Sequence, residues 1–198
     1  MSTFTHYLNI KTKIMNTKIV SFGEILLRLS KPDYQRLTQG HHMLGNYGGS
    51  EANTAISLAC LGNNVEYVTR LPYSAMGEAA LMHLREYGLN VNHVVRGGER
   101  LGTYYFEEAV AMRNSHVIYD RKNSAMYSLK RGMVEWDKVL ADAGMFHCSG
   151  ITCAISRDSM ESTMDALKLA EEKGLTIVCD INYRKNLWGY GMQHHDVI

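Results

Sequence analysis

The sequence predicts an α/β protein, a parallel sheet with helices on both faces, and three observations carry that prediction. Short apolar runs of strand length alternate with longer stretches of helical period. Glycines stand where the helical stretches stop. A block rich in Tyr, Phe, Val and Ile then interrupts the alternation without a helix inside it. Alternation of strand and helix implies parallel strands joined by crossovers, and the interruption implies an inserted antiparallel hairpin.

The elements follow in order. Lys18 to Phe22 is a short apolar run ending at Gly23, as a buried strand would be. Ser30 to Asn46 is polar and carries Pro32, Gly40 and Gly45, a loop or a small peripheral sheet. Gly48-Gly49-Ser50 opens the first clear helix, with Ser50 as candidate N-cap and Ala52, Ala55, Ile56, Ala59 and Cys60 on one face. Gly62 stands at its C-terminal stop. Val65 to Thr69 reads as the next strand. Ala75 to Tyr87 reads as a helix with Met76, Ala80, Leu84 and Tyr87 as its apolar side and Gly88 as its stop. Gly102 to Met112 and His116 to Asp120 form the expected hairpin, turning at Asn114-Ser115. Helical period returns at Trp136 to Ala143, and Met145 to Cys148 is a strand ending at Ser149-Gly150. Ser156 to Glu172 is the best helix, capped by Ser156, striped by Met160, Met164, Leu167 and Ala170, and stopped by Gly174. Leu175 to Cys179 is a strand that ends at Asp180-Ile181-Asn182.

The bulk numbers exclude several classes. With 198 residues, 45% hydrophobic and 21% charged, the chain can bury one ordinary core. A formal net charge of +1 gives no footprint for nucleic acid. No apolar run reaches membrane-spanning length, so no membrane partner is expected. Met1 to Met15 is polar and lysine-bearing, lacks the apolar core of a signal peptide, and is expected to be a disordered leader. The four cysteines form no Cys-x-x-Cys pair and sit among apolar neighbours. They read as buried, reduced thiols of a cytoplasmic protein, not as a zinc site.

In open α/β sheets ligands gather at the carboxyl ends of the strands. Gly23-Glu24, Ser149-Gly150 and Asp180-Ile181-Asn182 lie at such ends. Gly48-Gly49 precedes a helix, where glycines let backbone N–H groups approach a ligand and the helix terminus favours negative or hydroxyl oxygens. A plain turn with a close strand–helix contact explains the same pair. No Gly-Lys-Ser/Thr follows, so it is not a Walker A loop, and the GxGxxG spacing of a dinucleotide site is missing. Glu24 is either an acceptor for a ligand hydroxyl or an exposed loop carboxylate. Asp180 and Asn182 either hold hydroxyls or water or cap the turn after the strand. The His41-His42 and His194-His195 pairs have no further ligands nearby, so no metal site is read there.

The segment Gly48-Gly49-Ser50-Glu51-Ala52-Asn53-Thr54-Ala55, followed by Leu61-Gly62, resembles the N-terminal motif of ribokinase-type (PfkB) carbohydrate kinases. Further stretches resemble the 2-keto-3-deoxygluconate kinases within that family. These are Phe22 to Ser30, Val68 to Pro72, Tyr119 to Ala125, Phe146 to Thr152, and most specifically Asp180-Ile181-Asn182-Tyr183-Arg184-Lys185-Asn186-Leu187-Trp188. Together they reach over nearly all of Lys18 to Trp188. Gly77 fits a later family glycine loosely, and the acidic residue common in that loop is absent.

The resemblance implies a ribokinase-like three-layer α/β/α sandwich over residues 16–198, with a small β-sheet lid from about 28–47 and 100–123. It implies ATP and Mg2+ as cofactors and a small-molecule sugar acid as substrate, phosphorylated at its 6-hydroxyl. It implies that Gly48, Gly49, Asn53, Tyr104, Arg121, Arg184 and Glu24 bind the sugar. Arg184 is the carboxylate partner, through the bidentate grip a guanidinium offers, and Asp180 and Asn182 lie near the phosphate or metal. Taken alone, Arg184 and Arg121 would each read as members of ordinary ion pairs. Tyr104 and Tyr105 face opposite sides of a strand, so only one can reach the site. Some family members carry an arginine two positions beyond the tyrosine. Phe106 stands there here, so Arg113 or Arg121 takes that role or the carboxylate is held differently. Related kinases often pair through their lids, so a homo-oligomer is expected.

The family's Gly-Ala-Gly-Asp motif, which supplies the catalytic base and anion hole, has no match in residues 1–198. The expectation is that the catalytic aspartate lies beyond Ile198, that the C-terminal part of the fold is missing, and that this chain alone is inactive and exposes sheet edge. Two other functions fit the sequence: a fructokinase- or ribokinase-type kinase for a neutral sugar, and a non-catalytic truncated sugar-acid binder.

Overall fold

The computed structural model describes residues 17–183 together with Leu187 and Gly191. Its main sheet has four parallel strands in the order β10-β9-β1-β4: β1 Lys18–Phe22, β4 Val65–Val68, β9 Ala143–Ser149 and β10 Thr176–Asp180. Strand β1 is flanked on both sides, and all five of its residues are buried. Alternation sends its side chains into two cores. Val20 and Phe22 join one cluster with Phe146, Trp136, Val139, Ala166 and Ala170. Ile19 joins the other with Val65, Tyr67, Ala52, Ala55, Ala80 and Leu84.

Helices cover both faces. On one lie α1, Ser50–Cys60, and α2, Ala75–Glu86. On the other lie the short α3, Trp136–Val139, and α5, Arg157–Glu172. A further short helix, α4 Gly150–Ile155, begins directly after β9, where the sequence suggested only a strand end. Strand β9 also starts at Ala143, two residues before the expected run, leaving α3 a single turn. Trp136 links the layers. Its ring meets Phe22 and Phe146 edge-on, with centroids 5.0 and 5.7 Å away, and its Nε1 donates to Ser162 Oγ at 3.2 Å.

That contact explains a correction on α5. The fully buried face is Ser159, Ser162, Thr163, Ala166 and Ala170; of the expected stripe Ala170 is buried and Leu167 packs against the core, but Met164 is exposed. Close packing against α4 selects small side chains, whose hydroxyls are satisfied locally: Ser159 Oγ donates to Thr152 O at 2.5 Å and Thr163 Oγ1 to Ser159 O at 2.8 Å. On α2, likewise, Gly77, Ala80, Leu81 and Leu84 are buried, whereas Met76 and Tyr87 lie outside. Ser156 caps α5 as expected, accepting from Ser159 N. Ser50 does not cap α1; Gly49 holds that position with extended backbone. Gly62, Gly88 and Gly174 all take positive φ after their helices, the conformation the stop requires.

A second sheet crosses the carboxyl edge of the first, in the order β3-β2-β7-β8: β2 Leu26–Ser30, β3 Leu44–Gly48, β7 Thr103–Glu107 and β8 His116–Asp120. β2 pairs antiparallel with β3 and parallel with β7, and β7 pairs antiparallel with β8. The β7–β8 turn lies at Ala111-Met112 and not at Asn114-Ser115: Val110 and Arg113 exchange backbone hydrogen bonds of 3.1 and 2.9 Å. A small parallel pair, β5 Arg70–Leu71 with β6 Val95–Arg96, completes the strands among the described residues. Of the cysteines, Cys148 and Cys153 are buried as expected, but Cys60 and Cys179 are exposed. Cys60 ends α1 on its outer side. Cys179 lies on β10, the edge of the main sheet, whose residues are all exposed.

Candidate functional site

A cavity of about 290 Å³ opens between the two sheets, at the carboxyl end of β1 and the N-terminus of α1. Glu24, Gly49, Asn53, Tyr104, Arg121 and Asn182 all line it, although the sequence scatters them from residue 24 to residue 182. An adjoining cavity of about 430 Å³ shares Arg28, Asn53 and Tyr104 with the first and adds Gly48. Arg184 lies outside the described residues, as do His194 and His195.

The two glycines differ in what they do. A Cβ on Gly49 would lie 2.1 Å from the Glu24 carbonyl oxygen, so α1 can begin this close to β1 only with glycine there. A Cβ on Gly48 would find ordinary contacts, 3.4 Å to Asn53 Oδ1 and 3.5 Å to the Tyr104 hydroxyl. Packing therefore demands glycine at Gly49, whereas a side chain at Gly48 would sit at contact distance from two groups that line the cavities. Asn53 Oδ1 accepts from Gly49 N at 3.4 Å, which turns the amide toward the helix start.

Glu24 is not an exposed loop carboxylate. It is 4% exposed, Arg121 is 9% exposed, and the two form a buried ion pair. Arg121 Nε donates to Glu24 Oε2 at 2.8 Å, its Nη2 donates to the same oxygen, and Ser124 Oγ donates to Oε1 at 2.5 Å. The neighbouring Asp120 takes both terminal nitrogens of Arg100 at the surface, at 2.8 and 2.7 Å. Glu51 also borders the cavity, but its side chain is buried, accepting from Ser149 Oγ at 2.5 Å and Thr152 Oγ1 at 2.6 Å. Burial pushes its carboxyl pKa above the usual range, against the pull of those two hydroxyls. The same side chain explains Gly23, where a Cβ would come within 2.5 Å of the Glu51 carboxyl.

At the far end, Asn182 Nδ2 donates to Ser50 Oγ at 2.6 Å, joining the loop after β10 to the start of α1. Asp180 Oδ1 accepts from Asn182 N at 3.0 Å, and Asn182 has φ of 39°. The turn-capping alternative is thus realised for Asp180, while Asn182 faces the cavity. Tyr104 and Phe106 line the cavity from β7 and Tyr105 does not, as the period of two requires. Desolvation raises the Tyr104 hydroxyl pKa. Among the described residues no group of three or more His, Cys, Asp or Glu side chains is placed to hold a metal ion. No helix among the described residues is long and apolar enough to cross a membrane.

Sequence reasoning passed over two residues here. Glu51 stood inside the quoted motif without a role. Arg28 lines both cavities from β2, with its guanidinium 4.3 Å over the Phe106 ring. Its position two residues before a polar segment gave no signal, because the strand pairing that carries it beside β7 is not local.

A parallel α/β sandwich with a polar cavity at its strand ends and a second sheet across that edge has the architecture of a small-molecule kinase fold. The chain belongs to the pfkB family of carbohydrate kinases, whose profile matches residues 16–197. It is 35% identical over 176 residues to a 2-dehydro-3-deoxygalactonokinase of Haloferax volcanii, covering 88% of this chain and 54% of that protein. It is 28% identical over 175 residues to a 2-dehydro-3-deoxygluconokinase of Bacillus subtilis, with coverage of 88% and 54%. The crystal structure of a 2-dehydro-3-deoxygluconokinase from Thermotoga maritima superposes with a TM-score of 0.86 at 45% identity, covering 87% of this chain and 53% of that one. The chain thus spans about half the length of the relatives it matches.

Proposed function

We propose that the protein carrying this sequence is an ATP-dependent kinase for a 2-keto-3-deoxy sugar acid of the gluconate or galactonate series, transferring the γ-phosphoryl group to the 6-hydroxyl. The observation that carries the reading is the cavity itself. It gathers hydroxyl-binding groups (Asn53, Tyr104, Asn182) and two guanidinium groups at a helix N-terminus. Polar donors there suit sugar hydroxyls, and a cation suits an acid. Gly48, Gly49, Asn53, Tyr104 and Arg121 are the proposed substrate contacts. Glu24 acts by holding Arg121, and Arg184 is proposed as a further carboxylate ligand.

ATP with magnesium is the proposed donor, with Asp180 and Asn182 toward its phosphate end. The sheet formed by β3, β2, β7 and β8 is proposed as a lid, covering about 28–47 and 100–123. A homo-oligomer through its exposed β8 edge, in a cytoplasmic protein, completes the reading. Residues 1–198 contain no Gly-Ala-Gly-Asp segment, so by themselves they are expected not to turn over ATP. Positioned amides, metal and base act together in this chemistry, and no single part replaces the rest.

The test is a coupled ATP-consumption assay of catalytically active protein carrying this sequence, against 2-keto-3-deoxygluconate, 2-keto-3-deoxygalactonate, fructose and ribose. Turnover confined to fructose or ribose would replace this reading with the neutral-sugar one. Binding of the acid with no turnover in any form would leave a sugar-acid binder.

A further inference from the structure

We infer that Arg28 is a specificity-determining residue, the cation that takes the substrate's carboxylate, held over Phe106 on the neighbouring strand. The inference rests on the sugar-acid reading above and deepens it.

Two described cations line the main cavity, Arg28 and Arg121. Arg121 is already neutralised: Glu24 takes its Nε and Nη2, and both side chains are buried. Arg28 has no such partner. It makes no ion pair among the described residues, and its Nε is shielded from solvent without a hydrogen bond. The side chain lines both cavities, so the acceptor that its unpaired charge can meet there is a ligand's.

The strand register explains why the group stands where it does. Arg28 is the Cα partner of Tyr104, and Ser30 is the partner of Phe106, in the parallel β2–β7 pair. Side chains of Arg28, Tyr104 and Phe106 therefore share one face of the second sheet. Arg28 leans along it until its Cζ stands 4.3 Å from the Phe106 ring centroid. Stacking of this kind fixes the plane of the guanidinium and leaves its edge free for a bidentate carboxylate. An arginine at position 106 would place a cation on the same face from β7. Phe106 instead supports a cation that arrives from β2. The other arginine considered for this role, Arg113, is held at the hairpin, where its Nη2 donates to the Tyr34 and Glu108 carbonyls, and it lines neither cavity.

The test uses catalytically active protein carrying this sequence and compares 2-keto-3-deoxygluconate with its neutral C1 amide, by calorimetry and by steady-state kinetics. The unchanged protein should prefer the acid. Arg28→Gln should raise Kd and KM for the acid about 10- to 100-fold, the range for losing a charge-assisted hydrogen bond. Its kcat should stay within a few-fold, and the preference for acid over amide should disappear. Arg28→Lys, which keeps the charge without the planar fork, should restore part of that preference. If Arg28→Gln keeps the preference, or weakens acid and amide equally, the inference is overturned while the sugar-acid reading stands. If the unchanged protein binds neither compound, both fall together. A matching melting temperature for the two variants and the unchanged protein separates loss of recognition from loss of fold.

Discussion

Removing Arg121 should cost this fold more than removing any surface cation, because it strands a carboxylate. In Arg121→Met, Glu24 keeps its place under Leu26 and Gly102, where a Cβ on Gly102 would already lie 2.7 Å from Glu24 Oε1. Its side chain is 3% exposed, so water does not replace the lost guanidinium. One hydroxyl, from Ser124, remains as a donor. Breaking a buried pair from one side costs about 3–5 kcal/mol. For a chain of this size that lowers the melting temperature by about 6–20 °C. The double change Glu24→Gln with Arg121→Met carries no buried charge and should recover half of the loss or more. Urea unfolding at pH 7 of the unchanged protein, both single variants and the double variant reads the coupling directly. A loss below about 1 kcal/mol in Arg121→Met, or a double variant no more stable than the worse single one, would refute the argument that burial of the pair sets the cost.

Gly49→Ala should destabilise by about 1–3 kcal/mol, because its methyl meets the Glu24 carbonyl and backbone must move; Gly48→Ala, which meets only ordinary contacts, should leave unfolding nearly unchanged and weaken acid binding measured by calorimetry. Glu51→Gln should flatten the pH dependence of stability. The Glu51 carboxyl has a raised pKa in the folded state, so its contribution is full below the ordinary carboxylate range and is lost as pH rises through the folded value; the variant should lose less stability than the unchanged protein between pH 4 and pH 8, read by thermal melts. His147 has the opposite sign. Burial lowers its pKa, so stability present above the ordinary histidine range falls as pH drops through the folded value, and His147→Gln should lessen that fall. For the lid edge, Val117, Ile118 and Tyr119 are all exposed on β8, and Ile118→Lys should shift the protein to a smaller species by size-exclusion chromatography with light scattering.

What the residues determined alone are the local features. The apolar runs at 18–22 and 65–68, the glycine stops at Gly62, Gly88 and Gly174, and the Ser156 cap depend on conformational preferences of a few neighbouring residues. Short-range sterics and hydrogen bonding settle these before any packing occurs. The likeness around Gly48 to Asn53 likewise pointed to the right end of the sheet. Tertiary structure alone decided which of these groups meet. Glu24 and Arg121 are 97 residues apart, and only the crossing of the second sheet over β1 makes them one buried pair. The side of α5 that faces inward was set by Trp136 and α4, against which the small hydroxyl residues Ser162 and Ser159 pack and hydrogen-bond. Arg28 became part of the cavity for the same reason. A strand's own sequence fixes which residues share a face, but the strand that pairs with it fixes what that face touches.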